Sequence, residues 1–317
     1  MPKRPKAIIY PKPNRINLVE LDMRPLGEND VRVRTIATSI TPGVERFLLT
    51  GKSITRRELR FPVVSGSELL GEVVEVGANV ADVEVGDYVF VSRADGWLEA
   101  MPLFGCQAEE VIASESCVIP IRRTLEEKDI LIGLVGYAIS AVKKINLEEI
   151  ERILILGLGS VGLMIAEYLT YKGFTAIDAC EKYQSRGMLA AAKDIAFDIE
   201  DFTSDYFDRY DVIVETTGRL LMLEQATKLL KPHGKFLLVG NYEVMKLDYR
   251  LIQDKEPILI SSIQTTDDDL FEAKYLLSED ALDVEKFLTH RFPVADYERA
   301  FDVALNRADA IKTILTW

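Results

Sequence analysis

The stretch ILILGLGSVGLMIAEYL, residues 153–169, narrows the fold of this chain more than any other feature. An apolar run of strand character leads into Gly157-x-Gly159-x-x-Gly162, and a helical pattern follows at once. A glycine turn in that position belongs to a βαβ unit on a parallel sheet. Gly157 permits the tight turn, Gly159 lets the backbone approach a pyrophosphate, and Gly162 lets helix and strand pack closely. Ser160 and Val161 open the helix, whose N-terminus faces the anion.

Strand and helix patterns continue to alternate downstream, through AIDACE, RGMLAAAK, YDVIVETTG, LLMLEQATKLLK and GKFLLVG. That alternation predicts a doubly wound parallel sheet. Upstream, residues 6–120 read differently. KAIIY, INLVEL, DVRVRTIA, LLGEVVEV, GDYVFV and AEEVIA are short strands separated by turn residues, which predicts an all-β domain. A mostly apolar helical run, residues 125–145, joins the two regions. The tail carries helical patterns at DDDLFEAKYLLS and DYERAFDVALN and a last strand, AIKTILTW. The reading is α/β overall, divided into residues 1–133, 134–266 and a terminal segment 267–317.

Charge and residue counts exclude several functions. Lys plus Arg number 38 against 51 Asp plus Glu, for a net charge of −13, which argues against nucleic acid and anionic membrane surfaces as partners. No apolar run is long enough for a membrane helix, and MPKRPKAIIYPK lacks a signal-peptide core, so a reducing cytoplasm is the expected location. Three scattered cysteines and two histidines, His233 and His290, leave little for a zinc site or a Ser-His-Asp triad.

The second strand of the parallel region ends at Glu181, nineteen residues past Gly162. An acid there accepts hydrogen bonds from the adenosine ribose and repels a 2′-phosphate, which points to NAD rather than NADP. Lys182 and Arg186 argue the other way, and Asp178 is a second, mid-strand acid. Thr216 and Thr217 end the YDVIVETTG strand at the carboxyl edge, where ligands of such sheets bind.

GSELLGEVVEVGANVADVEVGDYVFV, GLGSVG, LTHRFPVADYERAF and AIKTILTW together resemble the medium-chain dehydrogenase/reductase superfamily. The resemblance implies a GroES-like β-barrel catalytic domain, an inserted Rossmann cofactor domain and a C-terminal segment returning to the first. It implies that Gly240 and Asn241 lie beside the nicotinamide and that Lys312 reaches the pyrophosphate. Zinc-dependent members carry Gly-His-Glu where this chain has Gly66-Ser67-Glu68, and a cysteine where it has Thr41. No Cys or His stands in GLVGYAISAV to supply a third ligand, and the four-cysteine structural lobe is missing. Hydroxyls are poor zinc ligands, so a zinc-free member is expected. TSITPGVERFLLTG, LFGCQAEEVIA and the tail from Leu288 are similar to the bacteriochlorophyllide a dehydrogenase family, which oxidises a hydroxyethyl side chain with NAD. TPGVER departs from that family's more hydroxyl-rich loop, which leaves the substrate open.

Without the metal, hydrogen-bond donors must polarise the substrate oxygen and pass its proton. Thr41, Ser67, Glu68 and Tyr137 are the candidates, with Glu45-Arg46 as a buried pair or a substrate contact. The leading expectation is a zinc-independent, NAD-dependent oxidoreductase acting on a secondary alcohol or ketone, small or large and apolar. A zinc-free quinone or enoyl reductase using NADPH, and a dinucleotide-binding sensor without turnover, are the alternatives. EPILISSIQ reads as an apolar edge strand at the end of the cofactor domain, and strand pairing there implies a homodimer.

Overall fold

The computed structural model describes residues 4–54, 58–121 and 124–317. Contacts divide the chain into two units, Met1–Gly133 with Leu288–Trp317, and Leu134–Phe287.

The second unit is built on six parallel strands. Their spatial order is Asp194–Ala196, Ile177–Cys180, Ile153–Leu156, Tyr210–Glu215, Leu230–Leu238 and Ile258–Ser261. The chain fills one half of the sheet outward from Ile153–Leu156 and then crosses back to fill the other. The order therefore reverses between Ile153–Leu156 and Tyr210–Glu215, strands that pair residue for residue from Ile153↔Val212 to Leu156↔Glu215. Every residue of Ile153–Leu156 is fully buried, as expected of a strand covered on both faces. The helix Ser160–Tyr171 turns Leu163, Met164, Ile165, Ala166 and Leu169 inward.

The helix Asp267–Ser278 belongs to this unit, so the return segment starts at Leu288, later than the expected residue 267. Polar anchors hold the helix there. Asp269 takes the Lys143 ammonium at 2.8 Å, and Glu272 accepts the Tyr168 hydroxyl at 2.8 Å. Ala273, Leu276 and Leu277 bury its apolar face.

The first unit is all-β apart from short helices. Its larger sheet runs Leu288–Pro293, Lys312–Thr316, Asp30–Ile40, Leu69–Val76, Tyr88–Val91 and Val118–Ile121, with Glu110–Ser114 also paired to Asp30–Ile40. The returning tail thus supplies two strands, and Lys312–Thr316 lies against one side of the central strand while Leu69–Val76 lies against the other. A smaller sheet orders Arg15–Glu20, Lys6–Lys12, Val63–Val64 and Met101–Pro102. The helix Tyr297–Asn306 packs Ala300, Phe301 and Ala304 into a cluster with Ile8, Tyr10, Ile40, Leu48 and Leu315.

Candidate active site

The glycine turn of the second unit is shaped by what its glycines exclude. Gly157 has φ +90°, and a Cβ there would lie 2.7 Å from Thr217 Cγ2 and 2.8 Å from Thr216 Oγ1. A Cβ on Gly162 would lie 2.0 Å from the Gly157 carbonyl oxygen, so helix and turn touch only because neither residue has a side chain there. Gly159 is the opposite case, since no atom lies within 4 Å of its Cβ direction. Gly159 also caps the Ser160–Tyr171 helix without a side-chain acceptor, and Ser160 and Val161 in that first turn are half-buried. First-turn N–H groups with no side-chain acceptor, beside open space and at the positive end of a helix, fit a pyrophosphate.

Glu181 directly follows the neighbouring strand, Ile177–Cys180, and is 6% exposed. Its carboxylate accepts the backbone N–H of Leu158 at 2.8 Å and of Tyr183 at 3.0 Å. One oxygen thus steadies the glycine turn, and each retains a lone pair for a ribose hydroxyl. Lys182 and Arg186 both lie against the Tyr183 ring, at 4.5 and 5.1 Å from its centroid. Asp178 is spent elsewhere, accepting the Tyr210 hydroxyl at 2.8 Å within the sheet.

Thr216 and Thr217 stand at the sheet edge as expected. The Thr216 hydroxyl lies 2.9 Å from the carbonyl oxygens of Leu156 and of Gly157. Thr217 donates through N–H and hydroxyl to the Glu215 carboxylate. A Cβ on Gly240 would strike Gly218 N at 2.4 Å, and the Asn241 carbonyl oxygen stands 2.6 Å from where a Gly218 Cβ would be, so these two loops lie against each other. Glu215, which organises both, was not among the residues singled out above. Its signal was a lone carboxylate closing an otherwise apolar VIVE run.

The Tyr137 hydroxyl is engaged by backbone carbonyls. Its hydroxyl donates to Ser262 O at 2.8 Å, with Val239 O at 3.1 Å, and burial pushes its phenol up to about 12. Ser140 and Lys144 continue the pattern, donating to Gln264 O and Ser261 O. Tyr137 and Ser140 on the helix Ile132–Val142, with Lys144 just past its end, fasten the chain that leaves the Ile258–Ser261 strand.

In the first unit, the positions where zinc ligands were expected lie at strand ends. Thr41 follows the central strand and caps the helix Pro42–Leu49; its carbonyl accepts from Val44 and Glu45, and its hydroxyl makes no cap bond. Ser67 is half-buried just before the Leu69–Val76 strand. Glu68 is 5% exposed and accepts from the Lys312 ammonium and the Ser39 hydroxyl, both groups on residues 1% exposed. Lys312 was expected at the pyrophosphate; its ammonium is instead held by Glu68, because Lys312–Thr316 and the Glu68 segment flank the same central strand. Glu45 and Arg46 do not pair with each other. Glu45 takes the Tyr10 hydroxyl at 2.5 Å, and Arg46 donates to Leu305 O. Burial pushes the Glu45 carboxyl up to about 7, and burial with the facing Glu45 raises the Tyr10 phenol far above its ordinary value.

The histidines stand apart from these groups: His233 faces Glu256 and His290 contacts Thr289. Among the described residues no group of three His, Cys, Asp or Glu side chains could hold a metal ion, and no helix is long and apolar enough to cross a membrane. Thr41 and Ser67 do not fit a zinc ion, and the Glu68 carboxylate is already taken by a cation.

Residues 27–123 match the alcohol dehydrogenase GroES-like domain. The chain is 24% identical over 320 residues to 2-desacetyl-2-hydroxyethyl bacteriochlorophyllide A dehydrogenase of Cereibacter sphaeroides, covering 99% of this chain and 98% of that protein. Two solved structures share the fold. One, from Sinorhizobium meliloti with NADP bound, superposes with TM-score 0.83 at 19% identity over 99% of this chain and 100% of the other. An alcohol dehydrogenase from Escherichia coli with NADH bound gives TM-score 0.83 at 19% identity over 99% of each. With an alcohol dehydrogenase GroES-like domain at residues 27–123, a doubly wound sheet and an open glycine turn in one chain, this protein has the fold of the medium-chain dehydrogenase/reductase superfamily and is similar over nearly its whole length to dinucleotide-binding alcohol dehydrogenases.

Proposed function

We propose that this chain is a zinc-independent oxidoreductase that uses NAD(H) to interconvert a secondary alcohol and a ketone. The observation that carries the cofactor half is Glu181, a buried acid tied to the glycine turn through Leu158 N, where a ribose hydroxyl is recognised and a 2′-phosphate repelled. Gly157, Gly159, Ser160, Val161 and Gly162 take the pyrophosphate; Thr216, Thr217, Gly240 and Asn241 border the nicotinamide half. When bound, the nicotinamide takes or gives the hydride; the chain's residues orient it and handle the proton. Lys312 acts indirectly, by neutralising Glu68 in the first unit. The hydroxyl of Thr41, which makes no cap bond, donates to the substrate oxygen, and Ser67 holds the position that the resemblance gives to a second zinc ligand. The relative from Cereibacter sphaeroides, named for a hydroxyethyl substrate, supports a secondary alcohol.

Titration with NADH and NADPH, with and without Glu181→Ser, tests the cofactor. NADH binds more tightly in the unmutated protein, and the substitution narrows the gap roughly tenfold. Equal affinities before mutation would refute the assignment. Thr41→Val keeps the dinucleotide affinity and lowers turnover by about a hundred- to a thousandfold if the hydroxyl is the donor. Elemental analysis finds well under one zinc per chain.

Lys182 and Arg186 on the Tyr183 ring favour a second reading, an NADPH-dependent quinone or enoyl reductase. Tighter binding of NADPH would select it. The exposed Ile258 and Leu259 on an edge strand support a homodimer by strand pairing, which light scattering at micromolar concentration tests.

A further inference from the structure

Glu215, the last residue of the Tyr210–Glu215 strand, is 0% exposed and pairs with Leu156 at the point where the strand order reverses. One carboxylate oxygen accepts Thr217 N–H at 2.7 Å and the Thr217 hydroxyl; the other accepts Gly218 N–H at 3.0 Å and the Tyr242 hydroxyl. Two of the four donors are backbone N–H groups, which cannot accept, so the pocket is matched to the ionised side chain. Tyr242 is fixed as a donor too, since burial and the facing Glu215 raise its phenol. All four donors are neutral. Glu68 has the Lys312 ammonium against it; among the described residues Glu215, at the carboxyl end of its strand, has no cation paired with it.

We propose that Glu215 selects between the two redox states of the bound dinucleotide, its fixed charge favouring the cationic oxidised ring over the neutral reduced one. The inference rests on the nicotinamide reading given above. In doubly wound sheets the two halves of a dinucleotide lie over the two halves of the sheet, either side of the reversal. The pyrophosphate belongs to the turn after Ile153–Leu156, so the nicotinamide belongs to the half that Glu215 opens. The oxidised and reduced dinucleotides differ in charge only at that ring. A fixed negative charge in a water-excluded setting therefore enters the difference between their affinities and little else. Tighter holding of the oxidised form makes the bound reduced form a stronger hydride donor, which biases this protein toward ketone reduction.

The test is equilibrium binding of NAD+ and NADH, with no turnover involved. Glu215→Gln removes the charge and keeps the shape. For a unit charge on the order of 10 Å from the ring at an effective dielectric constant of about 20, NAD+ affinity falls roughly tenfold more than NADH affinity. Glu215→Asp keeps the charge while disturbing the same loops, and leaves the ratio of affinities unchanged. Equal losses of both forms in Glu215→Gln would make the residue a loop brace and overturn the proposal, as would a changed ratio in Glu215→Asp. Should Glu215→Gln not fold, the unmutated protein decides: NAD+ bound more tightly than NADH supports the proposal, and the reverse overturns it. Failure of the unmutated protein to bind either dinucleotide defeats the cofactor reading itself, an outcome distinct from binding with a charge-independent ratio.

Discussion

Around Gly159 no atom lies within 4 Å of the Cβ direction, and the helix behind it has no side-chain cap. Around Glu68 the polar groups are packed and consumed: Lys312 and Ser39 are each 1% exposed, and both donate to the same carboxylate. Both regions lie at strand ends and both are rich in hydrogen-bonding groups. One leaves donors and space for something outside the chain. The other holds its carboxylate with donors from its own interior, and Thr41 and Ser67 beside it are half-buried. The second unit thus leaves donors open beside empty space, while the first closes the Glu68 carboxylate within its own interior.

The sharpest way to break this comparison is to remove the cation from the closed region. Lys312→Met leaves Glu68 buried with Ser39 as its remaining partner, and an uncompensated buried charge costs about 3–5 kcal/mol. Urea unfolding should show that loss, and Glu68→Gln combined with Lys312→Met should recover much of it. A loss under about 1 kcal/mol for the single variant would mean that Lys312 is solvated, as exposed pairs are.

Two glycines separate packing from binding. Gly162→Ala sets a methyl 2.0 Å from the Gly157 carbonyl oxygen, and such overpacking costs about 1–3 kcal/mol, with dinucleotide binding falling alongside. Gly159→Ala meets no atom of the chain. Its stability should stay within about 0.5 kcal/mol, while binding weakens because the methyl stands where the pyrophosphate approaches. Equal stability losses for the two would remove the distinction.

Glu45 tests the closed region by pH. Burial raises its folded carboxyl to about 7 against an ordinary 4.5, so the folded state holds the proton more tightly than the unfolded one. The stability this contributes is present below pH 4.5 and is lost as pH rises toward 7. Glu45→Gln imitates the protonated form at every pH. Its advantage over the unmutated protein should therefore grow from pH 4.5 to 7 and level off above, on the order of 3 kcal/mol. A flat difference across that window would place Glu45 in contact with water.

The open region was legible in the sequence because its parts are local. The glycine spacing, the strand before it and the helix after it occupy residues 153–171, and Glu181 follows one strand later. The closed region was not, because its partners meet only through tertiary pairing. Lys312 lies 244 residues from Glu68, and Tyr10 lies 35 from Glu45. The missing Cys and His at positions 41 and 67 were visible, but not what the neighbouring carboxylate does instead. The same limit explains the return segment: the pattern DDDLFEAKYLLS announces a helix, and only Lys143 and Tyr168 show which unit holds it.

Tyr137 shows how the helix direction decides a role, and it supplies the smallest of the expected effects. A tyrosine in GLVGYAISAV reads equally well as a proton donor or as a packing residue, because spacing says which residues share a face but not what faces them. Here the phenol has one proton to give, and two backbone carbonyls, Ser262 O and Val239 O, compete for it. With that proton engaged and the phenol pushed up to about 12, it is poorly placed to relay one near neutral pH. Tyr137→Phe should lower stability by about 1 kcal/mol, the worth of one neutral hydrogen bond with its acceptors left partly unpaired. Ser140 and Lys144 keep the neighbouring stretch fastened through Gln264 O and Ser261 O, so the strand end should hold. Turnover on any substrate the protein accepts should stay within a few-fold of the unmutated rate, against a loss of about a hundredfold or more if the hydroxyl stabilises the reacting oxygen. A loss of that size with stability unchanged would return Tyr137 to the reaction and move the brace of this edge onto Ser140 and Lys144 alone.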